Sequence, residues 1–574
     1  MDLRTKLGLI RGLVRWRLTW AQHDLDYRPP LASAKFLSAR QAAARVPDGA
    51  TVFSSGMAGN HRNSIFFWAL RDRFLRRGTP RGLTWITVGA QGGRGRVPGT
   101  LEDLALPGLV TRFITGHAET VKAMLRLADA GLVELHVMPQ GVQTLLLEAL
   151  GRGEDSVVSQ TGCGSFLDPR VGRGTAVLPG AAESFVAVDG DRLRYRLPPL
   201  DVSMFVATAA DPAGNVTMRN SCMVTEVREA TRATRRNGGT VLASVAEIVP
   251  RLDGDVFLGR DEIDGIVVHP LNEQLAGVRQ REYLPACTVG AQVDPVEAVA
   301  RLRFINDVLR ITPRRGPVDQ ALARLAADRF TRAAHPGAVV NIGVGHPEEV
   351  CRLFFETGLA EGLTFTSETG VYGGLPAPGI FFGASINPER FISSAEMFHL
   401  YEEKLDVSVL GLLQADGAGN VNVSRRGAGA INYVGPGGLP DIVASARTII
   451  FVGTWMAGAE LALAGGRLQV RRRGQPKFVP AVDEITFNGR EALRRGKQVY
   501  YVTNVGVFHL TARGMTLVEV MPGVDVRRDI VEGCAMPVVV PGEVPVVAAA
   551  TVTGEAFALR WRPPTPPAVS APSG

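Results

Sequence analysis

The residues from Gly362 to Pro388, GLTFTSETGVYGGLPAPGIFFGASINP, hold a single charged side chain in 27 positions, Glu368, and no histidine. With 21% of the chain charged, five or six charges would be expected in a stretch of that length. Six glycines and three prolines surround the carboxylate, so the backbone is set for turns and loop rather than helix. Just before it, Leu363 and Phe365 alternate with Thr364 and Thr366, the period of a half-buried strand. The pattern predicts a short strand delivering one glutamate into an uncharged, glycine-lined pocket. A carboxylate without a neighbouring cation is either solvated or kept for chemistry, because burying it unpaired is costly. A glutamate at the tip of a surface loop is the other reading of the same residues.

A second stretch, NIGVGHPEEVCRLFFETG (341–358), offers the complementary chemistry. A strand ends in Gly343-Val344-Gly345, Pro347 stands at the start of a helix, Glu348 and Glu349 fill its first turn, and Gly358 stops it. Glycines at such a strand-to-helix corner leave backbone N–H groups free to meet a developing negative charge. A plain tight turn needs the same glycines for geometry alone.

The elements that must position these residues follow an alternating rhythm. A helix from about Ser38 to Pro47 precedes a strand ATVFSS and a loop GMAGNHRN; LTWITVGA, GLVTRFITGH and LVELHVMPQG continue the alternation. This predicts an α/β fold with mostly parallel sheets. The chain also repeats itself. Asp201–Met218, DVSMFVATAADPAGNVTM, aligns without gaps on Asp406–Val423, DVSVLGLLQADGAGNVNV, with nine of 18 positions identical. Related openings, DGATVFSSGMAG and PGAVVNIGVGH, lie upstream of each copy. Two homologous open α/β domains are therefore expected in one chain, at 36–275 and 318–545. They are flanked by a basic arm (1–35), a linker (276–317) and a Pro/Ser-rich disordered tail (546–574).

Composition narrows the function class. The 574 residues exceed what one core supports. The net charge of +7 comes from arginines interleaved with 56 acids, with only Lys6, Lys35, Lys122, Lys404, Lys477 and Lys497 as lysines. No concentrated basic stripe marks a nucleic-acid partner. Five scattered cysteines without CxxC spacing point to a reducing cytoplasm and to neither disulfides nor a metal site. No apolar run reaches membrane-spanning length. Residues 1–20 place Leu3, Leu7, Ile10, Val14 and Leu18 near helical spacing among five basic residues. Such a helix lies on an anionic membrane, docks on a partner subunit or packs on its own protein, and the last is preferred here. GGRGRVPG (92–99) fits neither a P-loop nor a dinucleotide fingerprint.

Taken together and in order, the motifs resemble those of family I coenzyme A transferases of the fused type, over roughly 36–535. SETGVYGGLPAPGIFFGASINPERFISSAEMF is similar to that family's catalytic-glutamate segment, and DGAGNVNVS, GPGGLPDI, FVGTW, MPQG (138–141) and GCGSFLDPRVGRGT (162–175) also match. The resemblance implies that Glu368 is the nucleophile of a ping-pong exchange of CoA between a short-chain acyl-CoA and a free carboxylate, through a glutamyl-CoA thioester. It implies oxyanion and CoA-binding roles for Val344, Gly345, Gly437 and Gly438, with the amides of Val344 and Gly438 as the donors. It gives Gln140, Gly164 and His346 weaker places in the substrate pocket, His346 as a structural or lining residue because the chemistry needs no proton shuttle. Neither a metal nor a redox cofactor is implied, CoA being a substrate. The partners implied are acyl-CoA, small linear carboxylic acids (acetate, propionate, butyrate or a 3-oxo acid) and further copies of the chain in a dimer or tetramer. Two departures stand out: Thr369 replaces the usual Asn after the glutamate, and SSGMAGNHRN lacks the common Gly-Gly-rich form. An acyl-CoA hydrolase on the same scaffold and a non-catalytic ligand-binding module are the alternatives. A nicotinamide oxidoreductase lacks its GxGxxG corner.

Overall fold

A computed structural model describes residues 1–562 except 58, 94, 96, 253 and 276. The run 92–99 therefore falls partly outside the described residues, and the Pro/Ser-rich end from 563 onward falls wholly outside them.

Among the described residues two nine-stranded sheets dominate, one per half. The first runs, in spatial order, Phe36–Leu37, Gly265–Val268, Thr240–Ile248, Val202–Ala210, Thr51–Ser54, Leu83–Thr87, Val110–Thr115 and Glu134–Val137, every neighbouring pair parallel, with a short antiparallel strand on Val202–Ala210. Helices cover both faces, so a central strand such as Val202–Ala210 is buried along its whole length and reads as a continuous apolar run. The second sheet has five parallel strands at its centre: Thr364–Thr366, Val339–Ile342, Leu405–Gly411, Thr448–Val452 and Gln498–Val502. Antiparallel pairs flank them on both sides.

The internal repeat has a residue-level cause. Asp211 and Asp416 each fold back on the following Ala-Gly-Asn turn, accepting from the backbone and side chain of Asn215 and of Asn420 at 2.8–3.0 Å. Asp201 accepts from Thr51 N (2.8 Å) and Asp406 from Val339 N (3.0 Å), tying equivalent strands together in each half. Thr51–Ser54 and Val339–Ile342 are also where each sheet changes direction, the next strand in the chain lying on one side and the repeated strand on the other. In open α/β sheets the crevice at the carboxyl ends of such strands is where ligands bind.

Two flanking segments differ from expectation. Residues 276–317 are more than a linker: the helix Pro295–Leu309, capped by Asp294, buries Ala298, Val299, Leu302 and Ile305. It ties itself to the second half through Asn306, which donates to Pro378 O and accepts from Ile380 N, both at 2.9 Å. The chain expected as a tail from 546 is structured as far as 562. Its helix Ala549–Thr553 offers carbonyls to Arg324, and Trp561 packs edge-on against Phe354. Apolar residues such as Val552 and Leu559, both buried, outweigh the Pro/Ser content that begins only beyond them.

Candidate active site

Glu368 leaves the second sheet two residues after the strand Thr364–Thr366, whose register sets Thr366 opposite Asn341. That register brings the Asn341 side chain to the carboxylate: its Nδ2 stands 3.2 Å from Glu368 Oε2 and 3.1 Å from the Tyr401 hydroxyl. A tight turn holds the glutamate in place, with Gly370 N on Ser367 O and Ser367 N on Val371 O, each at 3.0 Å. Gly370 adopts φ 92°, and a Cβ there would sit 1.9 Å from Ile392 O, so glycine is required. Thr369, which replaces the family's Asn, is buried and donates to Gly383 O at 2.5 Å. Its side chain braces the turn and does not line the cavity.

The carboxylate faces a cavity of about 710 Å³, open mouth included. Ile342, Phe355, Leu375, Phe382 and Val299 of the Pro295–Leu309 helix make its walls largely apolar. Burial pushes the Glu368 carboxyl above the usual carboxylate range, and hydrogen bonds from its own backbone and from Asn341 pull it partway back. Two arginines reach the wall, but Arg352 is held by Glu349 and Glu356 (2.6 and 2.7 Å) and Arg303 pairs with Glu356 at 3.5 Å. Among the described residues no cation pairs with Glu368. The first half closes over this region: Asn60, from the loop after Thr51–Ser54, donates to Phe382 O at 2.9 Å, and Thr225 N meets Thr369 O at 3.3 Å.

The glycine corners divide in their hydrogen bonding. Gly345 N donates to Glu348 Oε1 (3.0 Å) and Gly437 N to Gly116 O (2.8 Å). The N–H groups of Val344 and Gly438 have no acceptor within reach among the described residues. Gln140 N donates to Gly437 O at 3.1 Å, and a Cβ on Gly438 would lie 3.4 Å from Gln140 Oε1 and 3.6 Å from Phe398. Phe398 packs edge-on against Tyr401, so Gln140, Gly437 and Gly438 connect to Glu368 through Phe398, Tyr401 and Asn341. Asp441 holds this junction, accepting from Gly141 N (2.8 Å) and Val142 N (3.1 Å) at the start of the helix Gln140–Arg152. Val344 and Gly345 lie two and three residues after Ile342 of the cavity wall. His346 and Gly164 join neither group. His346 Nε2 pairs with Asp319 at 3.1 Å, and the Gly164 carbonyl accepts from Asn488 at 2.8 Å on the seam between the halves. Asn341, Tyr401, Asn60 and Asp441 are the site residues that sequence patterns did not single out; the one available signal was an asparagine two residues before the Gly-Val-Gly corner.

An unpaired carboxylate just beyond a strand end, in a cleft at the direction change of a duplicated α/β sheet, defines a class. The family model "Coenzyme A transferase" matches residues 36–258. The chain belongs to that family and is a CoA-transferase of the family I type with both halves in one polypeptide. It is 32% identical over 512 residues to the caffeate CoA-transferase of Acetobacterium woodii, covering 87% of this chain and 94% of that one. It is 31% identical over 523 residues to the acetate CoA-transferase YdiF of Escherichia coli K12, covering 88% and 93%. The solved acyl-CoA transferase YdiF of E. coli O157:H7 in its thioester complex with CoA superposes with a TM-score of 0.80 at 27% identity, covering 94% of this chain and all of that one.

Proposed function

We propose that the protein exchanges CoA between an acyl-CoA and a free carboxylate by way of a covalent thioester on Glu368. The observation that carries this reading is the Glu368 carboxylate itself: half-buried, uncompensated by any cation among the described residues, and set with Glu348 in the wall of a largely apolar cavity. An anion stripped of water is a stronger nucleophile, which offsets the intrinsic weakness of a carboxylate. One Glu368 oxygen attacks the thioester carbonyl and expels CoA thiolate, leaving an acyl-glutamyl anhydride. The thiolate then attacks the glutamyl carbonyl of that anhydride, releasing the donor's carboxylate and forming glutamyl-CoA. An incoming carboxylate reverses the two steps and leaves as the new acyl-CoA. No step consumes a proton, a metal or a redox equivalent.

Each addition passes through a tetrahedral oxyanion. The uncommitted N–H groups of Val344 and Gly438 are the donors assigned to it, and removing such a donor costs roughly 10²–10³ in rate. Asn341 positions and partly stabilises the ionised Glu368. The relatives' names span acetate and caffeate; for this chain the reading favours small carboxylic acids, with the apolar cavity holding the acyl chain. The test is incubation with acetyl-CoA or propionyl-CoA, reduction with borohydride and mapping by mass spectrometry. An acyl-CoA-dependent reduced side chain at Glu368, with new acyl-CoA made when acetate is added, is the expected result. Thiol release without acyl-CoA formation would point to hydrolysis, and no adduct across a panel of bound acyl-CoAs would sink the mechanism.

A further inference from the structure

The helix Leu3–Thr19 is fastened by one side only. Leu13 is buried, in the cluster that includes Val299 and Leu302 of the Pro295–Leu309 helix. Trp16 Nε1 donates to Glu273 at 2.7 Å, the carboxylate that also holds the buried Arg62, and Arg15 pairs with Glu282. The opposite side carries Leu3, Leu7, Ile10, Val14 and Leu18, between 38% and 74% exposed. At 3.6 residues per turn these five fall within an arc of about 80°. Arg4, Arg11 and Arg15 border that arc on one side, and Lys6 and Arg17 on the other; no acid occurs within the helix. Among the described residues no carboxylate pairs with Arg4, Lys6, Arg11 or Arg17. Long aliphatic stems flanking an apolar stripe let the cations reach the headgroup layer while the stripe enters the acyl boundary.

We propose that this outward face is a docking site for an anionic phospholipid surface, on which the whole enzyme sits with the helix parallel to the membrane plane. Charge decides the occupant. A second copy meeting this stripe face to face would bring two basic borders together, and flanking like charges disfavour such a pairing. A layer of anionic headgroups complements both borders at once, each Lys or Arg contributing a further factor of roughly five in binding.

The experiment is co-sedimentation of the full chain with large vesicles of phosphatidylcholine alone and of phosphatidylcholine containing about one-third phosphatidylglycerol, at low and high salt, with light scattering of the protein free in solution. The expected result is binding to the anionic vesicles only, weakened by salt. Arg4→Gln/Arg11→Gln should lower partitioning roughly 25-fold, and Leu7→Gln/Ile10→Gln/Val14→Gln should abolish it. Both variants should keep transferase activity and melting temperature, since these side chains point away from the fold. Three outcomes overturn the proposal: no binding to anionic vesicles, binding indifferent to either set of substitutions, or a fall in the protein's mass in solution on replacing the apolar stripe, which would make the stripe a contact between copies.

Discussion

At the scale of single residues the site holds two demands in tension. In the proposed mechanism Glu368 must be ionised to attack, and its surroundings favour the protonated form because burial raises its pKa. A carboxyl whose folded pKa lies above its unfolded one binds more protons in the native state, so its contribution to stability is fully present at low pH and lost as pH rises through the folded pKa. Replacing it with the isosteric neutral amide removes that loss. Glu368→Gln should therefore melt at a higher temperature than the wild type at neutral pH, with the difference shrinking as the pH falls below the ordinary carboxylate range. Its transferase rate should drop by at least about 10³-fold. Thermal melts across pH check the sign, and equal melting temperatures throughout would mean that the carboxylate is solvated after all. Asn341 acts in the opposite direction by donating to the ionised oxygen. Asn341→Ala should push the Glu368 pKa up further and move the acidic limb of the kcat/KM–pH profile to higher pH, a shift that a purely structural residue would not produce.

At the scale of elements, the segment 295–309 changes meaning between sequence and structure. In sequence it belongs to the expected linker 276–317, and nothing in its composition marks it as part of a pocket. Yet Val299 stands in the cavity wall opposite residues of the second half. Val299→Phe should fill the cavity from that side and lower kcat/KM for butyryl-CoA relative to acetyl-CoA, by a factor in the range of roughly 10–200 that one or a few methylenes command. Steady-state kinetics on the two substrates checks this; an equal loss on both would place the acyl chain elsewhere. The same contrast explains what could be read in advance. Glu368, the glycine corners and the duplicated Asp-capped turns are local: their chemistry is complete within a few neighbouring residues, so spacing and composition expose them. Asn341 and Tyr401 depend on strand register and on a helix that returns some sixty residues later to the same strand. Asp441 matters only because the start of the Gln140–Arg152 helix, three hundred residues earlier, lies against it. His346 illustrates the converse. Its place beside Gly345 suggests the pocket, but its ring turns to Asp319 at the start of a preceding helix.

At the scale of the whole molecule, charged and polar groups join the two halves across the cleft, in addition to apolar contacts. Glu484 of the second half is the hub of one such contact. It accepts from Arg173 of the first half (3.1 and 3.0 Å), from Tyr433 (2.5 Å) and from Ser424 (2.7 Å), and is itself buried. Asp441 of the second half, accepting from Gly141 N and Val142 N at the start of the Gln140–Arg152 helix, is the second. Removing one partner of a buried ion pair leaves the other charge stranded, at a cost of about 3–5 kcal/mol. Arg173 keeps some contact with solvent, so the lower end applies, about 3 kcal/mol for Glu484→Gln. Each half has its own sheet, and this seam couples them together with the apolar cluster that joins Met223 and Leu275 to Val371 and Phe381. The wild type should unfold in a single denaturant transition, while the double variant Glu484→Gln/Asp441→Ala should show two, the first accompanied by loss of activity before either sheet melts. Circular dichroism and turnover followed along one urea titration separate the cases. Should the double variant keep one transition, cohesion would have to reside in the apolar contacts that the Pro295–Leu309 helix makes beneath the cavity, and substitutions at Leu302 and Ile305 rather than at the charged seam would be the ones to split the molecule.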